Sequence, residues 1–197
     1  MHVKKGSLTN KLIVLMIIIF FLQILSDSLH ASNENIPSLT EEFSFTPSLA
    51  FRKPWTLITS IFLHADLSHL FFNMFALFMF GNALERKIGI STYFYLFLIS
   101  GIVGNIGYMI TAFDPNIPGL GASGAIYGIL GALAILEPGA IVFVGFYPIP
   151  LIFAALLWAV TEFLGIFAPG EIAHGAHFFG IIVGFLFGKK LRKRYGF

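Results

Sequence analysis

Cysteine is absent from the 197 residues, which excludes a disulfide framework, thiolate metal ligation and a thiol nucleophile together. Charge is scarce as well: Asp, Glu, Lys and Arg make up only 11% of the chain, against roughly 25% in typical soluble domains. There is no His-Glu-x-x-His zinc motif, no internal repeat and no low-complexity tract. No basic stripe is interleaved with exposed aromatics, so a nucleic-acid role has no support. What fills the chain is apolar: 57% of residues are hydrophobic, 24 of them Phe. Water would not tolerate that much apolar surface around so short a chain, whereas lipid lets apolar side chains face outward. The composition therefore predicts a membrane protein.

Six apolar segments can be drawn, at about 11–29, 69–84, 92–113, 123–136, 140–167 and 174–188. Crossing a hydrocarbon core of about 30 Å takes roughly 20 helical residues. The first, third and fifth segments meet that length; the fourth and sixth fall short. A short segment can begin below the membrane surface where protein or a water-filled cavity covers its end. Lysines precede the first segment as they would in a signal peptide, but its apolar core is long and Leu29-His30-Ala31 is a poor cleavage site, so a retained anchor is expected. The stretch from His30 to Leu63, with Pro37, Pro47, Pro54, Phe43, Phe45, Phe51 and Trp55, is too apolar for a free linker. It reads as a loop half-inserted in the membrane interface, with Trp55 at headgroup level. One domain, 1–197, accounts for the whole pattern.

Charge placement predicts orientation. Lys4, Lys5 and Lys11 precede the first segment, Arg86 and Lys87 separate the second and third, and Lys189, Lys190, Arg192, Lys193 and Arg194 follow the sixth. Only Arg52 and Lys53 fall on the other side. The positive-inside rule puts both termini in the cytoplasm, which requires an even number of crossings. The outer loops carry Asp27, Glu34, Glu41, Glu42, Asp114 and Glu171. The compact chain points to a prokaryotic plasma membrane, and its basic tail to contact with anionic membrane lipids.

Polar residues inside such segments are costly and are functional candidates by default. The second segment opens with His69 and Asn73, four apart and on one helix face. The fourth opens Gly121-Ala122-Ser123-Gly124, followed by Tyr127 and Gly128; the sixth opens His174-Gly175-Ala176-His177. A rise of 1.5 Å per residue puts Ser123 roughly 21 Å above Glu137, His177 roughly 18 Å above Lys189, and Asn73 and His69 roughly 18 and 24 Å above Glu85. Three segments thus deliver a hydroxyl, an imidazole and further donors to nearly one level. Gly124 and Gly128 on one segment, and Ala176, Gly180, Gly184 and Gly188 on the other, recur every four residues and permit close backbone approach. Ser is a weak nucleophile until a base takes its proton, and His is the usual base near neutral pH. Acyl transfer also needs donors for the developing oxyanion, for which the Ser123 amide, Asn73 and His69 are candidates. Gly121 and Gly124 leave the chain free to turn beside the nucleophile. No acidic third member is apparent, since Glu162 reads as an interfacial, solvated residue. A Ser123–His177 dyad is expected, with Tyr127 packed on the imidazole.

At these residues the chain resembles the rhomboid family of intramembrane serine proteases. His64-Ala-Asp-Leu-Ser-His69-Leu-Phe-Phe-Asn73 is similar to the family's second-helix motif, Gly121-Ala-Ser123-Gly124 to its Gly-x-Ser-Gly motif, and Ala176-His177-Phe-Phe-Gly180 to its sixth-helix Ala-His-x-x-Gly pattern. The resemblance runs from about Arg52 to Gly188. It implies an all-α membrane protein: a six-helix bundle with a membrane-embedded first outer loop and a short central fourth helix. It implies Ser123 and His177 as the dyad, His69, Asn73 and the Ser123 amide as the oxyanion hole, Tyr127 against the histidine, transmembrane proteins as substrates, and no cofactor. The fifth helix and the loop before the sixth would gate lateral access. His174 occupies a position that need not be histidine in the family, and Arg52 and Trp55 match the family's Trp-Arg pair only loosely.

Plainer roles stand beside these. His69 and Asn73 could be interhelical glue, His64 a structural residue, and His174 a cavity-lining or substrate-contacting group. Three other functions compete with the protease reading. A metal site from His64, His69, His174 and His177 lacks a carboxylate partner. A transporter should show repeats and paired broken helices. A catalytically inactive relative that binds membrane clients would be expected to lose the serine or the histidine.

Overall fold

The computed structural model describes residues 7–195 apart from 169 and 171; the charges expected at Lys4, Lys5 and Glu171 lie outside the described residues. Helix α1 (Leu8–Ser32) starts where Ser7 caps the Asn10 amide and runs through an almost unbroken apolar sequence. After it come two short helices, α2 (Leu39–Phe43) and α3 (Thr56–Thr59), with 3₁₀ turns between and after them. Asp66 caps α4 (Leu67–Ala76) by accepting from the His69 amide at 2.8 Å. Helix α4 passes through a π-helical stretch, Leu77–Gly81, into α5 (Asn82–Ile88), and the three form one 22-residue apolar rod. Then follow α6 (Ile90–Thr111), α7 (Ser123–Leu136), α8 (Leu151–Gly165) and α9 (His174–Tyr195).

Length and composition alone would let α1, the α4–α5 rod and α6 cross a membrane; α7 and α8 are apolar but shorter. The outward faces of these helices are bare Phe, Leu and Ile, such as Phe21, Phe72, Phe75, Ile110, Phe153 and Leu164. A surface of that kind suits lipid tails, and several apolar helices packed in this way make the chain a membrane protein.

Helix α7 sits at the centre. Eleven of its residues are buried, among them Gly124, Gly128, Ile129, Gly131 and Ala132. It packs on α6 and most closely on α9. A Cβ at Gly180 would collide with the Gly124 carbonyl, one at Gly184 with the Gly128 carbonyl, and one at Gly188 would come within 2.9 Å of the Ala132 carbonyl. Only hydrogen at these positions lets the two backbones touch.

The fifth apolar segment does not begin as a helix. Residues 140–150 form a hairpin of β1 (Ile141–Val144) and β2 (Tyr147–Pro150), with Ile141 opposite Pro150 and Val144 opposite Tyr147. Pro148 and Pro150 lack the N–H that a helix interior needs, and Ile141, Val142 and Val144 favour strand. The two-residue turn Gly145-Phe146 has positive φ, +62°, only at its first position, the pattern that requires Gly there. Helix α8 starts after Pro150, so its 15 residues are little more than half the apolar run of 140–167. The other corrections are extensions: α9 continues to Tyr195, the second segment spans Leu67–Ile88, and the first loop contains short helices.

A polar network fastens that loop to α1. Gln23, buried on α1, donates to the His64 carbonyl at 3.0 Å and to Thr40 Oγ1 at 2.8 Å, and its own carbonyl accepts from the His64 amide at 3.2 Å. Asp27 accepts from Ser38 Oγ at 2.7 Å and from the Thr40 hydroxyl. Gln23→Leu would strand both backbone groups of His64 in an apolar place, so a loss of about 1–3 kcal/mol in unfolding free energy in detergent is expected.

The His64 ring is wholly buried, 5.2 Å from the His69 ring, and neither of its nitrogens has a hydrogen-bond partner among the described residues. Burial, reinforced by His69, lowers the His64 imidazole from its ordinary 6.5 to about 3. The unfolded chain therefore takes up a proton first as pH falls, and the stability held at neutral pH is lost from pH 6.5 downward toward 3. Between pH 7 and 5, wild-type stability should fall more steeply than that of His64→Phe, by up to about 1.4 kcal/mol per pH unit.

Candidate active site

Ser123 is the first residue of α7, so its N–H belongs to the turn whose donors have no partner within the helix. The approach to it is fixed by the loops. Gly121 donates to the Ser60 carbonyl at 2.9 Å, and Phe45 and Gly119 exchange two backbone bonds of 2.9 and 2.8 Å. Gly121 has φ +126°, and a Cβ on it would lie 2.7 Å from the His69 ring. No other residue meets both demands. His177 lies in the first turn of α9, and its Nε2 is 2.8 Å from Ser123 Oγ. The Tyr127 ring stacks on the His177 ring, with centroids 4.6 Å apart and planes 12° apart.

His69 and Asn73 project from α4. Asn73 is buried; its amide nitrogen donates to the His69 carbonyl at 2.9 Å, while its amide oxygen has no partner among the described residues. The His69 ring lies beside Gly121, two residues from Ser123. The structure thus gathers Ser123, His177 and Tyr127 into one contact set, with Gly121 and His69 against each other beside it and Asn73 one turn further along α4. Gly124 contributes through backbone approach, its Cα facing Gly104 and the Ala176 carbonyl.

Glu162 departs from the sequence reading. It is not solvated: it is 8% exposed and faces inward from α8. Its Oε1 accepts from the Tyr127 hydroxyl at 2.6 Å, and its Oε2 is 2.6 Å from His174 Nδ1 and 3.1 Å from His177 Nδ1. The last contact is off the line of the ring N–H, so it is an electrostatic contact or a strongly bent hydrogen bond. His174 is held against Gly165, where a Cβ would strike its ring. The signal that could have found Glu162 was its residue type: one carboxylate in an otherwise apolar 15-residue helix. Its inward direction depends on the start of α8, which the hairpin conceals.

Glu162, His174 and His177 each offer one ligand atom, all within 4.8 Å of one another. This set keeps His174 and His177 of the four-histidine alternative and adds a carboxylate, which that alternative lacked in the sequence. An ion there would have to replace the protons those atoms now share. A cavity of about 20 Å³ adjoins Ser123, lined by Gly101, Asn105, Gly119, Gly121 and Ala176 among others, enough for one water. A larger apolar groove of about 710 Å³ runs beside Tyr127 between Phe72, Phe75 and Met79 on the α4–α5 rod and Trp158 on α8, with Val142 and Phe143 of the hairpin also lining it.

A family model for the Rhomboid domain matches residues 52–194. YdcA of Bacillus subtilis strain 168, a protein bearing the rhomboid name, is 38% identical over 133 residues, covering 67% of this chain and 64% of that protein. The rhomboid protease GluP of the same strain is 38% identical over 130 residues, 66% of this chain and 24% of that protein. The rhomboid protease GlpG of Salmonella paratyphi A is 32% identical over 151 residues, 71% of this chain and 49% of that protein. The chain spans less than two thirds of the length of each of these relatives. With more than half of its residues inside the family match, the chain belongs to the rhomboid family.

Proposed function

We propose that this chain is an intramembrane serine endopeptidase that cleaves peptide bonds in or near transmembrane segments of membrane proteins. The observation that carries the reading is the 2.8 Å contact between His177 Nε2 and Ser123 Oγ, made across two helices. Relatives named as proteases support the general activity. In the proposed reaction His177 removes the Ser123 proton as Oγ attacks the scissile carbonyl carbon. The Ser123 amide, with Asn73 and His69, stabilises the oxyanion. His177 then passes the proton to the leaving amine, and water releases the acyl group from Ser123. The hydrolytic water can reach the serine by the small cavity beside it.

Six crossings within a single domain complete the proposal, with the first loop seated in the membrane interface and both termini in the cytoplasm of a cell membrane. A substrate helix would approach through the apolar groove between the α4–α5 rod and α8. It would have to unwind locally to expose a carbonyl, so small or helix-destabilising residues near the cleavage site would favour cutting.

Purified protein in liposomes with a generic transmembrane substrate tests the reading. Ser123→Ala and His177→Ala should each abolish cleavage and fluorophosphonate labelling while the protein remains folded. Retained cleavage in Ser123→Ala would sink the assignment. Binding of the substrate without cleavage by wild type would favour the client-binding alternative. Asn73→Ala should leave residual activity, with a loss of about 10²–10³-fold, the usual scale for one oxyanion donor. Cleavage should also be unchanged by a strong chelator; sensitivity to it would revive a metal at Glu162, His174 and His177.

A further inference from the structure

Glu162, the carboxylate that α8 turns toward the site, has no part in a two-residue mechanism. Placing an ionised carboxylate in an apolar helix is costly and persists only when its oxygens are satisfied. Around Glu162 they are satisfied by residues of the site itself. Tyr127 and His174 each approach within 2.6 Å, and His177 lies at 3.1 Å. The partners come from α7 and α9, the two helices that hold Ser123 and His177.

We propose that Glu162 is a positioning residue that completes a Ser123–His177–Glu162 triad; the inference rests on the serine-protease reading above. An imidazole can serve as base toward Ser123 only if Nε2 carries its lone pair and the ring proton sits on Nδ1. An acceptor facing Nδ1 selects that tautomer and holds the ring in plane. Glu162 Oε2 lies 3.1 Å from Nδ1, off the line of the ring N–H, and is the carboxylate oxygen that faces it. Tyr127 couples the two by stacking on the His177 ring and donating to Oε1 of the same carboxylate. His174 Nδ1 holds the same Oε2 at 2.6 Å, which restrains the carboxylate. The bent approach of His177 Nδ1 is of the kind that tightens when substrate is bound.

The proton inventory is closed. As the Ser123 Oγ to carbonyl carbon bond forms, the hydroxyl proton moves to His177 Nε2, and the imidazolium keeps its Nδ1 proton facing Glu162. As the carbon–nitrogen bond breaks, the Nε2 proton goes to the leaving amine. In deacylation water gives a proton to Nε2 and its oxygen to the acyl carbon, and Nε2 returns the proton to Ser123. Glu162 stays ionised throughout and stabilises each imidazolium.

The test is the full chain in detergent with a fluorogenic transmembrane substrate, comparing wild type, Glu162→Gln, Glu162→Asp and Ser123→Ala, with thermal unfolding of each. Glu162→Gln keeps the shape and can accept from Tyr127, but removes the charge. It should lower kcat by between about tenfold and about 10⁴-fold, with KM within about twofold and little change in unfolding temperature. Glu162→Asp should recover part of kcat because it restores the charge. If Glu162→Gln is unstable, Glu162→Asp carries the test, with kcat reduced and KM unchanged. A Glu162→Gln enzyme with wild-type kcat overturns the triad, as does parallel loss of stability and activity in both variants. In either case an inactive Ser123→Ala leaves the serine-protease reading standing, whereas an active Ser123→Ala removes that reading itself.

Discussion

The contact of α7 with α9 is the constraint on which the rest depends. Their backbones touch along Gly124, Gly128 and Ala132 on one side and Gly180, Gly184 and Gly188 on the other. At such a distance there is no side-chain layer to yield, so the relative height and rotation of the helices are fixed almost by carbonyl positions alone. Ser123 and His177 occupy the ends of that seam. Their 2.8 Å contact is therefore a property of the seam as much as of the two residues. The Tyr127–His177 stack adds orientation to a separation already set.

The second organising force is the cost of leaving polar groups unpaired where water is scarce. It explains why the polar residues of this chain are gathered rather than scattered. At one end Gln23 and Asp27 tie the first loop to α1. At the other, Glu85 accepts from the Ser7 and Thr9 hydroxyls and the Leu8 and Thr9 amides, clamping the start of α1 to α5. Between them lies Glu162, the most enclosed acid beside the candidate site. In each cluster an acid or amide satisfies several donors from distant parts of the chain, which makes the polar minority the element that sets how the helices are placed.

Much of the site was legible in the sequence because it is written in short motifs on single helices. Gly121 to Gly124 and Ala176 to Gly180 each place a reactive side chain beside small residues, so identity and packing are read together. Segment positions were legible for α6 and α7, where apolar runs end at Gly, Asn or charged residues. The hairpin at 141–150 was not, because a run of Ile, Val and Phe is equally apolar as strand or as helix, and Pro148 and Pro150 were the clues that decided it. Glu162 is illegible for a related reason: in an apolar run that opens at residue 140 its facing direction has no anchor, and a lone acid near a helix end reads as solvated. Gln23 lay in a helix whose length made it look like a simple anchor. What stayed hidden was in each case a direction, fixed only by partners far away in the chain.

The enclosure of α7 has a bearing on how the molecule is assembled. Fourteen residues of helix reach about 21 Å, less than the roughly 30 Å of a hydrocarbon core, and most of their surface is covered by protein. Such a helix has neither the length nor a lipid-facing side to enter a bilayer on its own account. During biogenesis it must wait for α9, which follows it in the chain and carries the matching glycines. The helix that opens with Ser123 is then seated only after α9 has been made, so a chain halted before α9 would lack the contact between Ser123 and His177.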